Sequence, residues 1–399
     1  MKEKPVQPDR LVRIAIASDL HAYAVDPDKP SHLNVRDSAV YPGQHPITGL
    51  IKLINDEKIT ADALLCPGDM GDKACPEGVT YAWGALHQVK AALGAEILAA
   101  TAGNHDIDSR YKGDDHDPEH ILKSLSPQFP LDDETLNDRY WARAYVVTDS
   151  MGFRLALLNS SAYHGNTPTE KNHGRIDRKT LGDFEKDIRG RTPAVINVLL
   201  CHHHPQVHSE LDLGVDDVMK QGQLLLDLLG TGDVGRWLVI HGHKHHPKIS
   251  YAAGGASSPV VFAAGSLCAN LFLTLQNRVR NQFYLITLST EEISKAGMVG
   301  RVQSWDWANG IGWSRAGDSS GLPALFGFGC REDAMILASK VSTFVKNGVK
   351  DWSAVQKRVP ELEFLLPQDW NMLRSILTKD HGIEILDVNG IPKQAGKKQ

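Results

Sequence analysis

Hydrophobic residues occur along the chain in short runs that are bounded by glycine, proline and polar turn residues, and longer stretches of helical periodicity separate these runs. Runs that are apolar throughout are typical of strands buried on both faces of a sheet, and helices between them are typical of sheets covered by helices. The pattern therefore predicts an α/β fold. The predicted strands are Val12–Ala17, Ala63–Cys66, Ile97–Thr101, Phe153–Leu158, Val195–Cys201, Trp237–Ile240, Val260–Ala263 and Phe283–Leu288.

Four stretches between these strands carry apolar residues at the spacing of an amphipathic helix. The predicted helices are Ile47–Glu57, Tyr81–Leu93, Arg178–Ile188 and Met219–Leu229. The segment 107–140 is rich in Asp, Pro, His and Lys and interrupts the alternation, so we expect an insertion that lies over the strand ends. Its Asp114, Asp115 and His116 are interpreted as a solvated acidic loop rather than as metal ligands.

The amino-acid composition of the chain changes after residue 315. Residues 316–322 are rich in Gly, Ser and Asp and indicate a linker, and two stretches beyond it, Glu332–Lys346 and Gln368–Thr378, have helical periodicity. We therefore expect a large first domain, residues 1–315, and a small, mainly helical C-terminal appendage, residues 323–399. The Lys-rich end, residues 393–399, is expected to be frayed.

Composition narrows the class of protein. The formal net charge of −5 gives no broad basic surface, which disfavours non-specific binding to long nucleic acids. The first ten residues have no apolar signal core, and no apolar run is long enough to span a bilayer, so a cytoplasmic protein without a membrane partner is expected. The five cysteines are widely spaced and odd in number, which favours buried free thiols.

Five short polar motifs follow directly after predicted strands. In an open α/β sheet the carboxyl ends of the strands meet at one edge, so these motifs can converge. They offer carboxylate, amide and imidazole groups, which suit divalent transition metals, and buried groups of this kind need partners or a metal. In chain order the motifs are Ser18-Asp19-Leu20-His21, Gly68-Asp69-Met70-Gly71-Asp72, Gly103-Asn104-His105-Asp106, Cys201-His202-His203-His204-Pro205 and His241-Gly242-His243-Lys244-His245.

In this order the motifs resemble those of the calcineurin-like metallophosphoesterase superfamily, whose pattern is DxH, GDxxD, GNHD, H-x-P and GHxH. The resemblance covers about residues 11–288 and implies a four-layer β-sandwich flanked by helices, with residues 1–315 as the catalytic domain. It also implies two divalent metal ions, with Mn, Fe, Zn and Co as candidates. The implied ligands are Asp19, His21 and His245 for one ion, Asn104, His203 and His243 for the other, and Asp69 as the bridge.

The resemblance further implies that His105 is catalytic and that Asp72 holds its imidazole in orientation. The fourth motif has three consecutive histidines where the family uses one. His203 stands two residues before Pro205, as H-x-P requires, whereas His202 would point to the opposite face if the strand continued through it. We therefore expect His203 to be the ligand, with His202 as the open alternative.

The function implied by the resemblance is hydrolysis of a small phosphate ester, with a nucleotide-like phosphodiester favoured, by a hydroxide held between the two ions. The insertion 107–140 is expected to cap the site, and Tyr163 and His164 are candidates for substrate contact.

Two alternatives to this function stay open. One is a nuclease of the same superfamily, for which a basic patch near Lys244, Lys248, Arg278 and Arg280 would be needed. The other is a non-catalytic binding or scaffolding protein. Self-association or a protein partner of the appendage is left open.

Overall fold

The structure, a computed structural model, describes most of the chain. The described residues are 9–37, 41–109, 117–150, 152–166, 169–207, 218–317, 321–346, 348–388 and 390–397. Asp114, Asp115 and His116 of the predicted acidic loop lie outside these ranges. No helix in the described part of the chain is both long enough and apolar enough to cross a bilayer.

The strands comprise the eight that the apolar runs predict and several more. They are β1 Leu11–Ile16, β2 Ala63–Cys66, β3 Ile97–Ala100, β4 Tyr145–Ser150, β5 Phe153–Leu158, β6 Asn197–Leu200, β7 Trp237–His241, β8 Lys248–Tyr251, β9 Val260–Ala263, β10 Asn281–Ser289, β11 Gly300–Ala308, β12 Gly312–Arg315, β13 Leu325–Phe328, β14 Lys350–Asp351, β15 Ile383–Val388 and β16 Ile391–Lys397.

The helices include the four predicted between the strands of the first domain. They are α1 Pro46–Glu57, α2 Pro76–Leu93, α3 His120–Lys123, α4 Glu134–Arg143, α5 Arg178–Gly190, α6 Gly222–Gly230, α7 Leu273–Gln276, α8 Thr290–Ala296, α9 Ala334–Phe344, α10 Trp352–Arg358 and α11 Pro367–Asp380. Short 3-10 helices occupy Glu170–Asn172 and Pro360–Phe364. Helix α5 begins where the side chain of Asp177 accepts hydrogen bonds from the backbone N–H groups of Lys179 and Thr180, which is the usual way to satisfy a first turn.

The first domain is built around two β-sheets, each with both parallel and antiparallel strands. In the first, β1, β2 and β3 are parallel, β10 pairs antiparallel with β1, and β11 follows β10, with β12 and β13 both paired to β11. In the second, β5, β6, β7 and β9 are parallel, and β4 and β8 add antiparallel edges. Because the parallel strands of each sheet run the same way, their carboxyl ends form a common edge.

The layers follow from the alternation of side chains along the strands. In β7, Leu238 and Ile240 belong to the large core shared with the first sheet, whereas Trp237 and Val239 face a second core that α5 and α6 complete. Helices α1 and α2 contribute to the large core from the other side of the first sheet. The predicted α/β fold with a four-layer sandwich is therefore confirmed.

The structure describes residues 107–109 and 117–140 of the predicted insertion. Its described part packs into the main core: the Trp83 and Phe129 rings lie 5.5 Å apart, and the Tyr140 hydroxyl is 2.9 Å from Thr101 Oγ1 and 3.0 Å from the Ala102 N–H that donates to it. The described residues 117–140 therefore form a buried wall beside β3, and the capping of the site by the insertion stays a prediction. Phe129 and Tyr140 supply the apolar surface that makes this packing favourable.

Helices account for most of the residues in the C-terminal elements, as expected, but strands also occur there, and the boundary expected at residue 323 does not coincide with the edge of the first sheet. Strand β13 pairs with β11 and so belongs to the first sheet, and β14, β16 and β15 form a separate three-stranded sheet beside helices α9, α10 and α11. Leu322 of the predicted linker is buried, and its N–H donates to Gln282 Oε1. The polar sequence of β16 resembles a frayed tail, but pairing with β15 orders it through Lys397.

Candidate metal centre

The five motifs meet on loops at the carboxyl ends of β1, β2, β3, β6 and β7. The loop after β1 runs beside the loop after β2, because the Asp19 N–H donates to the Gly68 carbonyl at 3.1 Å and the His21 N–H donates to the Asp69 carbonyl at 3.0 Å. These backbone bonds hold the first two motifs in fixed register. The centre therefore rests on paired loops anchored by buried strands, which limits its flexibility.

Several ligand candidates have left-handed backbone conformations although none is glycine. The φ angles of Asp19, His21, Asp69, His243 and His245 are 52°, 48°, 53°, 80° and 53°. Such conformations cost roughly 1–3 kcal/mol each and persist only where the surroundings enforce them. Because β1 ends at Ile16, strand alternation does not place Asp19 and His21 on one side; loop geometry does.

The first group of ligand atoms comes from Asp19, His21 and His245. The two imidazole Nε2 atoms are 2.9 Å apart, and His245 Nε2 lies 3.6 Å from Asp19 Oδ1. All three residues are buried, and their donor atoms lie within 4.8 Å of one another. Burial lowers the pKa of His245, and the charge of His21 lowers it further, so this imidazole is neutral and able to bind a cation.

The second group is built around the side-chain oxygen of Asn104. This atom lies 3.0 Å from His202 Nε2 and 2.9 Å from His243 Nδ1, and the two histidine nitrogens are 3.2 Å apart. Burial and the nearby imidazoles lower the pKa of His243. One amide oxygen and two imidazole nitrogens therefore face a common point.

Asp69 connects the two groups. Its Oδ2 atom lies 3.6 Å from His21 Nε2 of the first group and 3.4 Å from His202 Nε2 of the second, while its Oδ1 accepts a hydrogen bond from the His105 N–H. Burial alone would raise the pKa of Asp69, but the charges of His202 and His105 outweigh it and hold the pKa well below its usual range. An ionised carboxylate in this position can bridge two cations.

The structure brings His202, rather than His203, against Asp69 and Asn104. His203 Nδ1 instead lies 3.0 Å from Ser160 Oγ, and its Nε2 has no hydrogen-bond partner among the described residues. The His203 ring still contacts that of His243, with centroids 4.5 Å apart, and one of its nitrogens lies within 4.8 Å of the donor atoms of His202 and His243. The H-x-P spacing favoured His203, and the argument against His202 assumed that the strand continues through it, but β6 ends at Leu200 and the alternation stops there.

The donor atoms of the second group fit a cation. His202 Nδ1 lies 2.9 Å from the Pro67 carbonyl oxygen, which requires a proton on Nδ1 and leaves Nε2 as a lone pair in the neutral ring. That lone pair faces another acceptor, Asn104 Oδ1. Burial would lower the pKa of His202, but the Asp69 charge raises it to about 9. The position thus attracts positive charge, which a metal ion supplies in place of the proton.

His105 and Asp72 form a pair next to both groups. His105 Nδ1 lies 2.8 Å from Asp72 Oδ1, and the same carboxylate oxygen lies 3.4 Å from His21 Nδ1. Lys73 Nζ approaches the other oxygen of Asp72 at 3.7 Å and is held by Asp26 at 2.7 Å. Burial would raise the pKa of Asp72, but hydrogen bonds from His105 and His21 lower it well below its ordinary value.

Sequence reasoning missed two groups that shape the centre. Both oxygens of buried Asp106 accept backbone N–H groups, from Gly71 and Gly103 at 2.9 Å each, and so fix the second and third motifs together. Burial raises the pKa of Asp106 to about 6. Ser266 Oγ donates to the Asp19 carbonyl at 2.6 Å. The role of Asp106 could have been predicted because this residue ends the GNHD motif. No local sequence pattern indicates a role for Ser266.

The remaining candidates lie beside the two groups rather than in them. His164 is buried, its Nε2 lies 3.1 Å from the His173 carbonyl oxygen, and its ring packs 5.2 Å from that of His203. Tyr163 donates its hydroxyl to Asp177 Oδ2 at 2.5 Å. Buried His204 stacks on the His243 ring with centroids 5.8 Å apart. Of the three, His204 packs against a proposed ligand, His243.

Two packed sheets with a cluster of His and Asp side chains at the carboxyl ends of their strands are the arrangement of a metallophosphoesterase fold. Comparison of the sequence with a family profile gives the same class of protein. The chain belongs to the calcineurin-like phosphoesterase family, whose profile matches residues 12–247. Members of this family use divalent metals, and the clustered His and Asp groups described above could bind them.

Two relatives are similar to this chain over about half of it. A cAMP/cGMP dual specificity phosphodiesterase from Mycobacterium tuberculosis is 26% identical over 49% of this chain and 52% of its own length. A probable cyclic nucleotide phosphodiesterase from Rhodococcus erythropolis is 25% identical over 48% of this chain and 54% of its own length. The chain thus spans about half the length of these relatives.

Among solved structures, a purple acid phosphatase from yellow lupin aligns at a TM-score of 0.46 and 12% identity, over 80% of this chain and 53% of that one. The family assignment rests on the sequence profile.

Proposed function

We propose that this protein is a binuclear metal-dependent phosphodiesterase that acts on a small nucleotide-like substrate. The observation that carries the proposal is the position of Asp69 Oδ2, which faces His21 of one ligand group and His202 of the other. A carboxylate between two sets of imidazole and oxygen donors is the arrangement that two-metal phosphoester hydrolysis needs.

The proposed ligand set differs from the set implied by the motifs at one position, where the observed distances favour another histidine than the H-x-P spacing does. His202 replaces His203, and the other six assignments keep their sequence-based form. The proposed ligands are Asp19, His21 and His245 for the first ion, Asn104, His202 and His243 for the second, and Asp69 for both. The identity and number of the ions are part of the proposal.

The two ions, when bound, activate water and stabilise charge on the phosphoryl oxygens. The protein's own residues supply orientation and proton transfer. His105 is held by Asp72 through Nδ1, which leaves Nε2 to carry a proton toward the leaving oxygen. Asp72 stabilises the positive charge on His105 and fixes its ring, and Lys73 holds Asp72 in turn.

The substrate class is supported by the two relatives, whose names describe action on cyclic nucleotides. The net charge of −5 agrees with a small anionic substrate drawn to a local metal pair rather than with a long polyanion that needs a broad basic surface. We therefore favour a cyclic nucleotide or another small phosphodiester over a nucleic acid.

The test compares hydrolysis of bis-p-nitrophenyl phosphate, p-nitrophenyl phosphate and 3′,5′-cyclic AMP by metal-stripped protein, with Mn, Co, Zn or Mg added back. Asp69→Asn removes the proposed bridge, and Asp56→Asn, at an exposed helix position paired with Lys52, is the matched control. We expect metal-dependent diester cleavage that Asp69→Asn abolishes and Asp56→Asn retains. Failure to cleave any ester while two ions are bound would refute the proposal.

A further inference from the structure

A second cavity lies at the amino ends of the parallel strands of the second sheet, whereas the metal centre lies at their carboxyl ends. Its walls come from the loops before β6, β7 and β9, the end of α8 and the residues after β13. Its volume is about 680 Å³, within the range of roughly 300–1,000 Å³ that is typical of small-molecule sites. None of the proposed metal ligands lines it. We call it the arginine cavity, because Arg236 and Arg331 both line it.

Arg331 is held in the wall by groups that carry no charge. Its Nη1 donates to Ser258 Oγ at 3.0 Å, and its Nη2 donates to the Ser258 carbonyl oxygen at 2.7 Å. The guanidinium also lies 3.9 Å from the centre of the Tyr251 ring. These contacts fix its orientation without neutralising its charge. The side chain is exposed, so its remaining N–H donors on Nε and Nη2 are available to a ligand.

The second guanidinium, that of Arg236, has no ion-pair partner in the described part of the chain. Its Nη1 atom is enclosed by protein and is not the atom that a ligand reaches. Nε and Nη2 are not enclosed in this way, and Nε lies 3.9 Å from the position of a Cβ built on Gly297, which is itself part of the wall. Burial lowers the pKa of Arg331, and the charge of Arg236 lowers it further, which is the effect of two like charges close together.

The other charged side chains of the wall have partners of their own. Lys295 is paired with Glu291, and Glu332 lies 2.7 Å from Lys340 Nζ. Neither acid therefore neutralises the two arginines. Among the described residues, the arginine cavity keeps two unbalanced positive charges.

A hydroxyl group stands beside the Arg236 guanidinium. A Cβ built on Gly232 would lie 2.8 Å from Ser257 Oγ and 4.0 Å from Arg236 Nη1, so the hydroxyl and the guanidinium are neighbours. Ser257 also lines the cavity and adds a donor without charge. The cavity thus offers hydrogen-bond donors from two guanidinium groups and one hydroxyl.

These groups select an anion with two charges and several acceptor oxygens. The planar fork of an arginine matches two oxygens of a phosphate, and hydrogen bonds between charged groups are the strong ones. A phosphate dianion balances both arginines, whereas a monocarboxylate leaves one positive charge. The volume of the cavity exceeds that of a bare phosphate, so it has room for an organic group.

We propose that the arginine cavity binds a phosphate dianion, either inorganic phosphate or the phosphate group of a small monoester. The phosphate oxygens accept hydrogen bonds from Arg236, Arg331 and Ser257. This site is separate from the proposed phosphodiesterase centre, and its occupancy does not depend on that function.

The experiment is calorimetric titration of the full chain at constant ionic strength with inorganic phosphate, AMP, succinate and adenosine. Because a metal pair also binds phosphate, the parent protein and Asp69→Asn are both titrated. We expect a site with a Kd below about 1 mM for phosphate or AMP in both proteins, and no binding of adenosine. Tighter binding of AMP than of phosphate identifies a monoester as the ligand, and otherwise the ligand is inorganic phosphate.

Two of the possible results overturn the proposal. If neither anion binds to Asp69→Asn in this range, any phosphate bound by the parent protein occupies the metal centre. If succinate binds as tightly as phosphate, the site takes dicarboxylates and the assignment to phosphate is wrong.

Variants of Asp69→Asn locate the site. Adding Arg236→Gln removes one of the two unbalanced charges and is expected to weaken binding at least about 10-fold. Arg358→Gln removes the same charge at an exposed position outside the wall and should leave the Kd unchanged within twofold. Equal losses in these two variants would show non-specific attraction and overturn the proposal.

Arg331→Lys is a second probe that does not depend on the folding of Arg236→Gln. It keeps the positive charge but loses the planar fork, so we expect binding to weaken about threefold to 10-fold. The melting temperature without ligand checks that each variant is folded. Unchanged binding in both Arg236→Gln and Arg331→Lys would place the phosphate elsewhere and refute the proposal.

Discussion

The replacement of His202 by alanine, compared with the same change at His203, tests the ligand assignment directly. His202 Nε2 lies 3.0 Å from Asn104 Oδ1, 3.2 Å from His243 Nδ1 and 3.4 Å from Asp69 Oδ2, so the change removes one of the four side chains around the proposed second ion. Mutation of a residue that only orients a metal ligand typically lowers metal affinity about 10-fold to 100-fold. We therefore expect His202→Ala to weaken binding of the second ion by at least about 100-fold.

The change at His203 should act on stability instead. Its Nδ1 hydrogen bond with Ser160 Oγ is worth about 0.5–1.5 kcal/mol, and the buried ring leaves a cavity when truncated. We expect a lower melting temperature, with metal affinity changed by less than about 10-fold, because no described hydrogen bond or ion pair joins His203 to Asp69 or Asn104, although one of its ring nitrogens lies within 4.8 Å of the donor atoms of His202 and His243.

The assay combines metal content by mass spectrometry after dialysis, calorimetric titration of the second ion and kcat on bis-p-nitrophenyl phosphate. The expected pattern is one ion per chain and a large loss of kcat in His202→Ala, against two ions and a small loss of kcat in His203→Ala. The reverse pattern, with the second ion lost only in His203→Ala, would refute the reasoning from the structure and restore the H-x-P assignment.

Three further changes test other parts of the centre and one helix cap. His105→Ala should lower kcat by about 10²-fold to 10⁴-fold, with the greatest loss for esters of poor leaving groups; equal losses across leaving groups of different pKa would exclude proton donation. Gly103→Ala should displace Asp69, because the added Cβ would lie 2.1 Å from its Oδ1, and metal titration should show weaker binding, whereas Gly182→Ala, with open space around it, should not. Burial would raise the pKa of Asp177, but its hydrogen bonds lower it to about 2 from 3.8, so its stabilisation is present above pH 4 and is lost as the pH falls toward 2. Denaturation of Asp177→Ala should therefore show a free energy of unfolding about 1 kcal/mol lower than that of the parent protein at neutral pH, and the difference should shrink as the pH falls through 2. A difference of unchanged size at and below pH 2 would contradict the cap.

Much of the central fold could be predicted from the sequence because its strands are short, wholly apolar runs between turn residues. Ala63–Cys66, Phe153–Leu158 and Val260–Ala263 begin and end as predicted. Strands such as β11 could not be predicted in the same way, because polar residues such as Gln303 and Asp306 interrupt the apolar pattern, and only pairing with neighbours defines the strand. The same holds for β16.

The candidate site could be located from the motifs but not resolved in detail. The motif positions placed Asp19, Asp69 and Asn104 near one edge because strand ends converge there. The choice between His202 and His203 depends on how the loop turns after Leu200, and that turn is set by tertiary contacts such as the one between His202 and the Pro67 carbonyl. The predicted metal ligands and the catalytic pair remain predictions until the ions are measured.

The pairing of β13 with β11 has a consequence for cooperativity and for aggregation. Residues 300–303 of β11 pair with residues 325–328, so a fragment that stopped near residue 322 would leave the backbone of that part of β11 open at the edge of the sheet. Exposed sheet edges are templates for pairing between chains. Such a fragment should self-associate even though it retains every residue of the proposed metal centre, and the intact chain should lose both parts together in one unfolding transition.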